Sequence, residues 1–219
     1  MKKRLAWAVA VLCLLIFSAH CVAEERLTMA DLNSEDAFSF QLTRLLRLAP
    51  TTSLETSHYS VQQGCATDGV YGYFILENQK EHLDSIWKVD LSDGSIVDQR
   101  FGLALDHGND MTYNAKTGQL IVVNNKPNYN KLSFIDPETL EITDTRRVPL
   151  NMYAIAYCEA LDQYVVGLSG GYDFPILDSE FKQIATFSGE DTGLVRQGAD
   201  CDEQYIYFPQ SSDGAQPDA

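Results

Sequence analysis

Self-similarity constrains this chain more than any other feature. QGCATDGVYGYF (Gln63 to Phe74) aligns without gaps to QGADCDEQYIYF (Gln197 to Phe208), matching at Gln, Gly, Asp, Tyr, Tyr and Phe. The offset is 134 residues, about three units of ~45. The intermediate units exist as well. TYNAKTGQLIVV (Thr112 to Val123) matches AYCEALDQYVVG (Ala156 to Gly167) at an offset of 44 residues. A second element recurs as IWKVDLSDGSIV, LSFIDPETLEIT and FPILDSEFKQIA, starting at Ile86, Leu132 and Phe174. Each is an apolar run ending at an Asp (Asp90, Asp136 or Asp178), then a turn, then a second run. An Asp carboxylate caps nearby backbone N–H groups, which suits it to that corner.

Val, Ile, Tyr and Thr dominate the runs, as strands require. Each unit therefore holds about four short antiparallel strands in roughly 44 residues, the size of one β-propeller blade. The fold expected is all-β, a β-propeller with three full blades (61–103, 107–151 and 152–189) and a fourth beginning near 195. A β-sandwich also has short strands and regular turns, but it does not account for a 44-residue repeat. Propellers close with four to eight blades. The expectation is thus an incomplete set of a six- or seven-bladed ring, because the chain reaches SSDGAQPDA after two strands of its fourth unit.

Residues 1–23 read as a signal peptide. Lys2, Lys3 and Arg4 precede an apolar run from Leu5 to about Phe17, and Cys21-Val22-Ala23 fits a signal-peptidase site. The run is short for a spanning helix, which needs ~20 residues. No membrane span is expected after cleavage, and the product is secreted or periplasmic. A lipid anchor on Cys21 is the rival, against which His20 stands just before the cysteine. In the segment 24–58, Asn33-Ser34-Glu35-Asp36 looks like a helix start; Phe40, Leu45, Leu46 and Leu48 follow, and Pro50 blocks continuation. Residues 59–219 carry the blades. Cleavage takes the net charge from −15 to −18, since Lys2, Lys3 and Arg4 leave with no acid. Such a surface repels phosphate backbones, which argues against nucleic acid as a partner. Cys65, Cys158 and Cys201 remain; one disulfide is open to them, and their spacing does not choose the pair.

In a propeller the residues just before each innermost strand converge on a central funnel. Gln63, His107, Asn109, Tyr153 and Gln197 are the candidate ligand-binding residues there. The same side chains can instead bridge blades, since buried polar groups need partners. Asp110 and Asp200 each follow a repeated glycine by two residues and are weak candidates for a metal. Recurrence in several blades argues for a structural role, because a catalytic residue is needed once. His107 has no His counterpart in another blade and is the candidate base if the protein is an enzyme. No G-x-S-x-G elbow, H-E-x-x-H pair or EF-hand loop occurs. No cofactor is implied beyond a possible divalent cation.

HGNDMTYNAKTGQLIVVNN, LSFIDPETLEIT, YAIAYCEALDQYVVGLSGGYDF and QGADCDEQYIYF resemble secreted bacterial β-propellers of the broad NHL-like or YVTN-like kind. The resemblance covers about 61–208 and implies the fold more than an activity. VQQGCATDG and WKVDLSDGSIV are similar to propeller-type glutaminyl cyclotransferases. Their Gly-Glu-Gly element falls near Asp106-His107-Gly108, where His stands for the acid. Gluconolactonase/regucalcin-like enzymes hold a divalent metal with a Glu before the first inner glycine; here Gln63, a poorer cation ligand, occupies that place. Two readings follow. One is an exported, non-enzymatic propeller engaging a polar ligand or a protein at its funnel. The other is a metal-assisted hydrolase or cyclotransferase using the same funnel.

Overall fold

The computed structural model describes residues 59–78, 81, 83–202 and 205–211. The leader expected over 1–23 and the helix expected within 24–58 lie outside the described residues. Three four-stranded antiparallel sheets follow one another, each with its strands in chain order. Sheet one is β1 (Tyr59–Thr67), β2 (Tyr71–Asn78), β3 (Leu83–Asp90) and β4 (Ile96–Leu103). Sheet two is β5 (Asp110–Asn114), β6 (Gln119–Val123), β7 (Lys131–Ile135) and β8 (Ile142–Arg147). Sheet three is β9 (Met152–Cys158), β10 (Gln163–Leu168), β11 (Asp173–Leu177) and β12 (Gln183–Ser188). Two short pairs come last: β13 (Val195–Arg196) with β16 (Gln210–Ser211), and β14 (Asp200–Cys201) with β15 (Ile206–Tyr207). The described residues hold one helical element, the 3-10 turn Glu159–Leu161. Among them no helix is long and apolar enough to cross a membrane. The strands β1, β5, β9 and β14 lie side by side, which is the inner-strand arrangement of a propeller. Among the described residues the sheets do not close a ring.

The repeated residues recur because they build the same turns. At the β1–β2 turn, Asp68 Oδ1 accepts the N–H groups of Val70 (2.8 Å) and Tyr71 (2.7 Å), and Oδ2 accepts the Tyr73 hydroxyl (2.8 Å). At the β14–β15 turn, Asp202 Oδ1 accepts Tyr205 N–H (2.7 Å) and Oδ2 accepts the Tyr207 hydroxyl (2.6 Å). The shared Asp-x-x-Tyr-x-Tyr pattern is therefore one hydrogen-bonded corner made twice. The second element behaves likewise. Asp90, Asp136 and Asp178 each accept the N–H two residues on, at Ser92, Glu138 and Glu180 (2.7, 2.7 and 2.9 Å). These turns need one residue with positive φ. Gly94 supplies it in sheet one, while Leu140 (φ 55°) and Phe181 (φ 64°) supply it in sheets two and three. A side chain there costs roughly 1–2 kcal/mol. Leu140 and Phe181 are buried in the cores, and burying such a side chain recovers about that amount.

Sheet two is packed on both faces, and the period-2 alternation of its strands shows how. Leu120 and Val122 face sheet one, meeting Tyr73, Ile75, Ile86 and Leu103. Ile121 and Val123 face sheet three, meeting Ile155, Tyr164 and Val166. Double coverage explains why QLIVV and QYVVGL are almost continuously apolar. The outer strands β8 and β12 have one side in water and are largely exposed. A third, smaller cluster on the far face of sheet three joins Cys158, Val165 and Phe174 to Cys201 and Phe208. There the Phe174 and Phe208 rings lie 4.1 Å apart.

Candidate functional site

The turn corners set the register of the inner strands. Asp68, Asn114 and Asp202 each cap backbone N–H groups two or three residues on, so they stand at equivalent positions. Counting back four residues from each puts Gly64, Asp110 and Gly198 at one level. Ala154 joins them through the 44-residue match of Asn114 with Cys158. Three of these four positions hold glycine or alanine, and the Asp110 side chain takes the space they leave. A Cβ on Gly64 would lie 2.5 Å from the Asp110 Cα, and a Cβ on Gly198 would lie 3.6 Å from Asp110 Oδ1. The Asp110 carboxylate accepts N–H groups from the residues just past this level in the next two strands: Ile155 (2.8 Å) and Ala199 (3.1 Å). One buried side chain thus ties β5 to sheet three and to the fourth unit. Two residues along β5, Thr112 Oγ1 accepts Tyr157 N–H at 3.0 Å and repeats the tie. Burial pushes the Asp110 carboxyl up to about 8; N–H groups of Ile155, Met111 and Ala199 pull it down, and the charge of Asp200 adds to the rise.

A cleft of about 1110 Å³ runs along these strands. Gln63 and Gln197 line it near the level of Asp110, and Asp200 and Cys201 line it farther along. Its far part is walled by Asp68, Glu159 and Asp202, beside an apolar wall from Phe74 and Leu91. Apart from Asp110, whose buried carboxyl keeps its proton below about pH 8, four carboxyl groups (Asp68, Glu159, Asp200 and Asp202) and, among the described residues, no Lys, Arg or His line the cleft, so it favours positive charge. Asp68 and Asp202 have spent their oxygens on turns. Burial raises the Asp68 carboxyl, but N–H groups of Tyr71 and Val70, the Tyr73 hydroxyl and Lys88 outweigh it and hold the group below its usual range. Asp200 is exposed, and among the described residues its carboxylate accepts its neighbour's N–H, from Cys201 at 2.9 Å. It and Asp110 have the same spacing from a glycine yet opposite surroundings, one exposed and one buried.

The structure brings Gln63, Gln197, Asp110 and Asp200 to this cleft and places His107, Asn109 and Tyr153 elsewhere. Asn109 is buried; its Nδ2 donates to the Tyr153 carbonyl at 2.6 Å and its Oδ1 accepts from Asn125 Nδ2 at 2.9 Å. It bridges sheets two and three. His107 sits in the β4–β5 loop at φ 83°, with Nδ1 donating to Glu77 Oε1 at 2.9 Å. Asp84 is fully buried opposite Glu77 in the β2–β3 ladder. Burial, then the charge of Glu77, pushes its carboxyl up to about 7, with the N–H groups of His107 and Leu105 opposing. Among the described residues no group of three or more His, Cys, Asp or Glu has an arrangement that could hold a metal ion. His107→Ala should therefore cost about 1–2 kcal/mol of stability in urea unfolding, because it strands the buried Glu77 carboxylate. Ligand binding in the cleft should stay within about twofold.

The sequence does not single out Asp68, Glu159, Asp202, Cys65 or Cys201 as cleft residues. Asp68 and Asp202 were visible as a matched pair in the repeat. The direction of the inner strands hides the set: the expected funnel lies where they start, and the cleft extends to where they end.

No protein-family model and no curated protein matches this chain. Among solved structures it is similar to the glutaminyl cyclase of Myxococcus xanthus, at 14% identity and a TM-score of 0.51, over 68% of this chain and 68% of that one. It is also similar to the WD40 repeats of RRP9, at 12% identity and a TM-score of 0.48, over 72% of this chain and 48% of that one. A third is a Bacteroides caccae protein of unknown function, at 14% identity and a TM-score of 0.45, over 59% and 47%. The chain spans less than half the length of the latter two. At this identity the first likeness shows the fold, a propeller-type array of four-stranded sheets, and nothing of activity.

Proposed function

We propose that this protein is an exported, non-enzymatic binding module. It takes a polar ligand carrying positive charge, or a cationic segment of a protein, in the cleft along its inner strands. The observation that supports this reading most is the lining among the described residues: the carboxyl groups of Asp68, Glu159, Asp200 and Asp202, two glutamines and no basic side chain around about 1110 Å³. That volume lies just above the range of small-molecule pockets, ~300–1,000 Å³, and suits an extended segment. Gln63 and Gln197 offer both donors and acceptors, and Asp200 offers a carboxylate facing water. The leader-like residues 1–23 support export.

The test is calorimetric titration of the full chain with tetralysine, with tetraglutamate as control. Tetralysine is expected to bind with a Kd that weakens steeply with salt. Asp200→Asn or Gln63→Ala should weaken it about 3- to 10-fold each, the loss of one exposed polar contact. Binding that ignores both substitutions, or equal binding of tetraglutamate, would sink the proposal. Turnover of a peptide with N-terminal glutamine, or of a lactone, would replace it with the hydrolase or cyclotransferase reading.

A further inference from the structure

Three cysteines stand on the inner strands, and two of them end adjacent ones. Cys158 is the last residue of β9 and Cys201 the last of β14, and these two strands pack side by side. Both side chains join the cluster that holds sheet three against the fourth unit, with Val165, Phe174 and Phe208. Their side chains share that cluster, and each perturbs the acidity of the other. Cys158 is buried and Cys201 is half-buried, lining the cleft. Cys65 is on β1, in the exposed part of the same cleft.

We propose that Cys158 and Cys201 are a redox-active pair that closes to a disulfide stapling sheet three to the fourth unit. The fourth unit has most need of a staple. Its ladders are two residues long, where β9 to β12 run five to seven, and it presents Tyr205, Ile206 and Tyr207 to solvent. The chain between the two cysteines is about 40 residues, so a cross-link removes much freedom from the unfolded chain. The inference does not depend on what the cleft binds.

The chemistry is thiol–disulfide exchange with a small disulfide oxidant such as oxidised glutathione. The half-exposed Cys201 sulfur attacks the oxidant, forms a mixed disulfide and releases one glutathione. The Cys158 sulfur then attacks Cys201 Sγ, forms the Cys158–Cys201 bond and expels the second glutathione. Each cysteine gives up one proton, and the two electrons lost by the thiols reduce the oxidant to two thiols.

The experiment treats the reduced full chain with oxidised glutathione under native conditions, blocks remaining thiols with iodoacetamide, and maps tryptic peptides without reduction. Cys65, Cys158 and Cys201 fall in different tryptic peptides. The expected result is a Cys158–Cys201 cross-link with Cys65 alkylated, and a Tm about 5–10 °C above that of the reduced protein. Cys65→Ser should keep both the cross-link and the Tm gain. Cys201→Ser, at the half-buried position, should lose both while folding as the reduced protein does. Alkylation of both Cys158 and Cys201, a glutathione adduct left on Cys201, a dominant Cys65–Cys201 link, or a cross-link without a Tm gain would each overturn the proposal.

Discussion

Gly64→Ala is expected to cost at least about 3 kcal/mol, while the same substitution at the equivalent Gly198 should cost about 0.5 kcal/mol or less. The repeat makes these two glycines look alike. Their surroundings separate them. The Cβ of an alanine at 64 would lie 2.5 Å from Asp110 Cα, 2.6 Å from the Asp110 carbonyl carbon and 2.6 Å from Met111 N. Non-bonded heavy atoms rest at ~3.5–4.0 Å, so about 1 Å of separation must be found. All three atoms are backbone, and no rotamer change relieves the overlap. β1 and β5 must part, which opens the core where Tyr73 and Ile75 meet Leu120 and Val122. At Gly198 the nearest atoms are Asp110 Oδ1 and Pro209 Cγ, both at 3.6 Å and both on side chains. Urea unfolding followed by circular dichroism at one pH measures both variants. Equal midpoints for the two would mean that β1 does not approach β5 as described.

The contrast between Gly64 and Gly198 shows what the sequence carried and what it did not. Matching Gln63–Phe74 to Gln197–Phe208 was enough for the blade repeat, because the matched Asp and Tyr residues make one local corner twice. The Asp90, Asp136 and Asp178 turns were legible for the same reason: a carboxylate and an N–H two residues away need no tertiary partner. The doubly covered strands were legible from apolar runs such as LIVV. Contacts between blades were another matter. Spacing from a glycine put Asp110 level with Asp200, whereas turn register puts it level with Gly64 and Gly198. The glycine stands four residues before the corner at Gly64–Asp68 and Gly198–Asp202 but six residues before it at Gly108–Asn114, so the glycines of the repeat are not all at one level. His107 looked singular because no other blade has a histidine there. Its partner, Glu77, lies on β2, about thirty residues back, a pairing that only packing decides. The proximity of Cys158 to Cys201 is of the same kind.

Asp110 sets a second large effect, in the pH dependence of stability. Its carboxyl titrates near 8 in the folded chain and near ~3.9 in an unfolded one. Between those values the folded state holds a proton that the unfolded state has released. Stability from this group is therefore complete below about pH 4 and is lost as pH rises through about 8. Asp84, titrating near 7, acts in the same direction over the lower part of that window. Each group adds a limiting slope of ~1.4 kcal/mol per pH unit. Asp110 alone thus accounts for a loss on the order of several kcal/mol between pH 4 and 8. Asp68, held below its usual range, works in the opposite sense, and its contribution is lost only as the solution becomes more acid than about pH 4. The two effects occupy separate windows. Asp110→Asn keeps an oxygen for the N–H groups of Ile155 and Ala199 and removes the titration. Its unfolding free energy should be flatter than the parent's from pH 5 to 8, by about 1 kcal/mol per unit, and the two curves should converge or cross toward pH 8. Asp110→Ala lacks the acceptor, leaves the buried Ile155 N–H and the half-buried Ala199 N–H unpaired, and should lose about 3 kcal/mol or more near pH 5, a deficit that narrows toward pH 8 as the parent's own loss sets in. Parallel curves for parent and Asp110→Asn would show that the three backbone N–H groups hold the carboxyl charged throughout. In that case the tie across β5, β9 and the fourth unit is ionic, and Asp110→Asn, carrying no charge, should lose stability at all pH values alike.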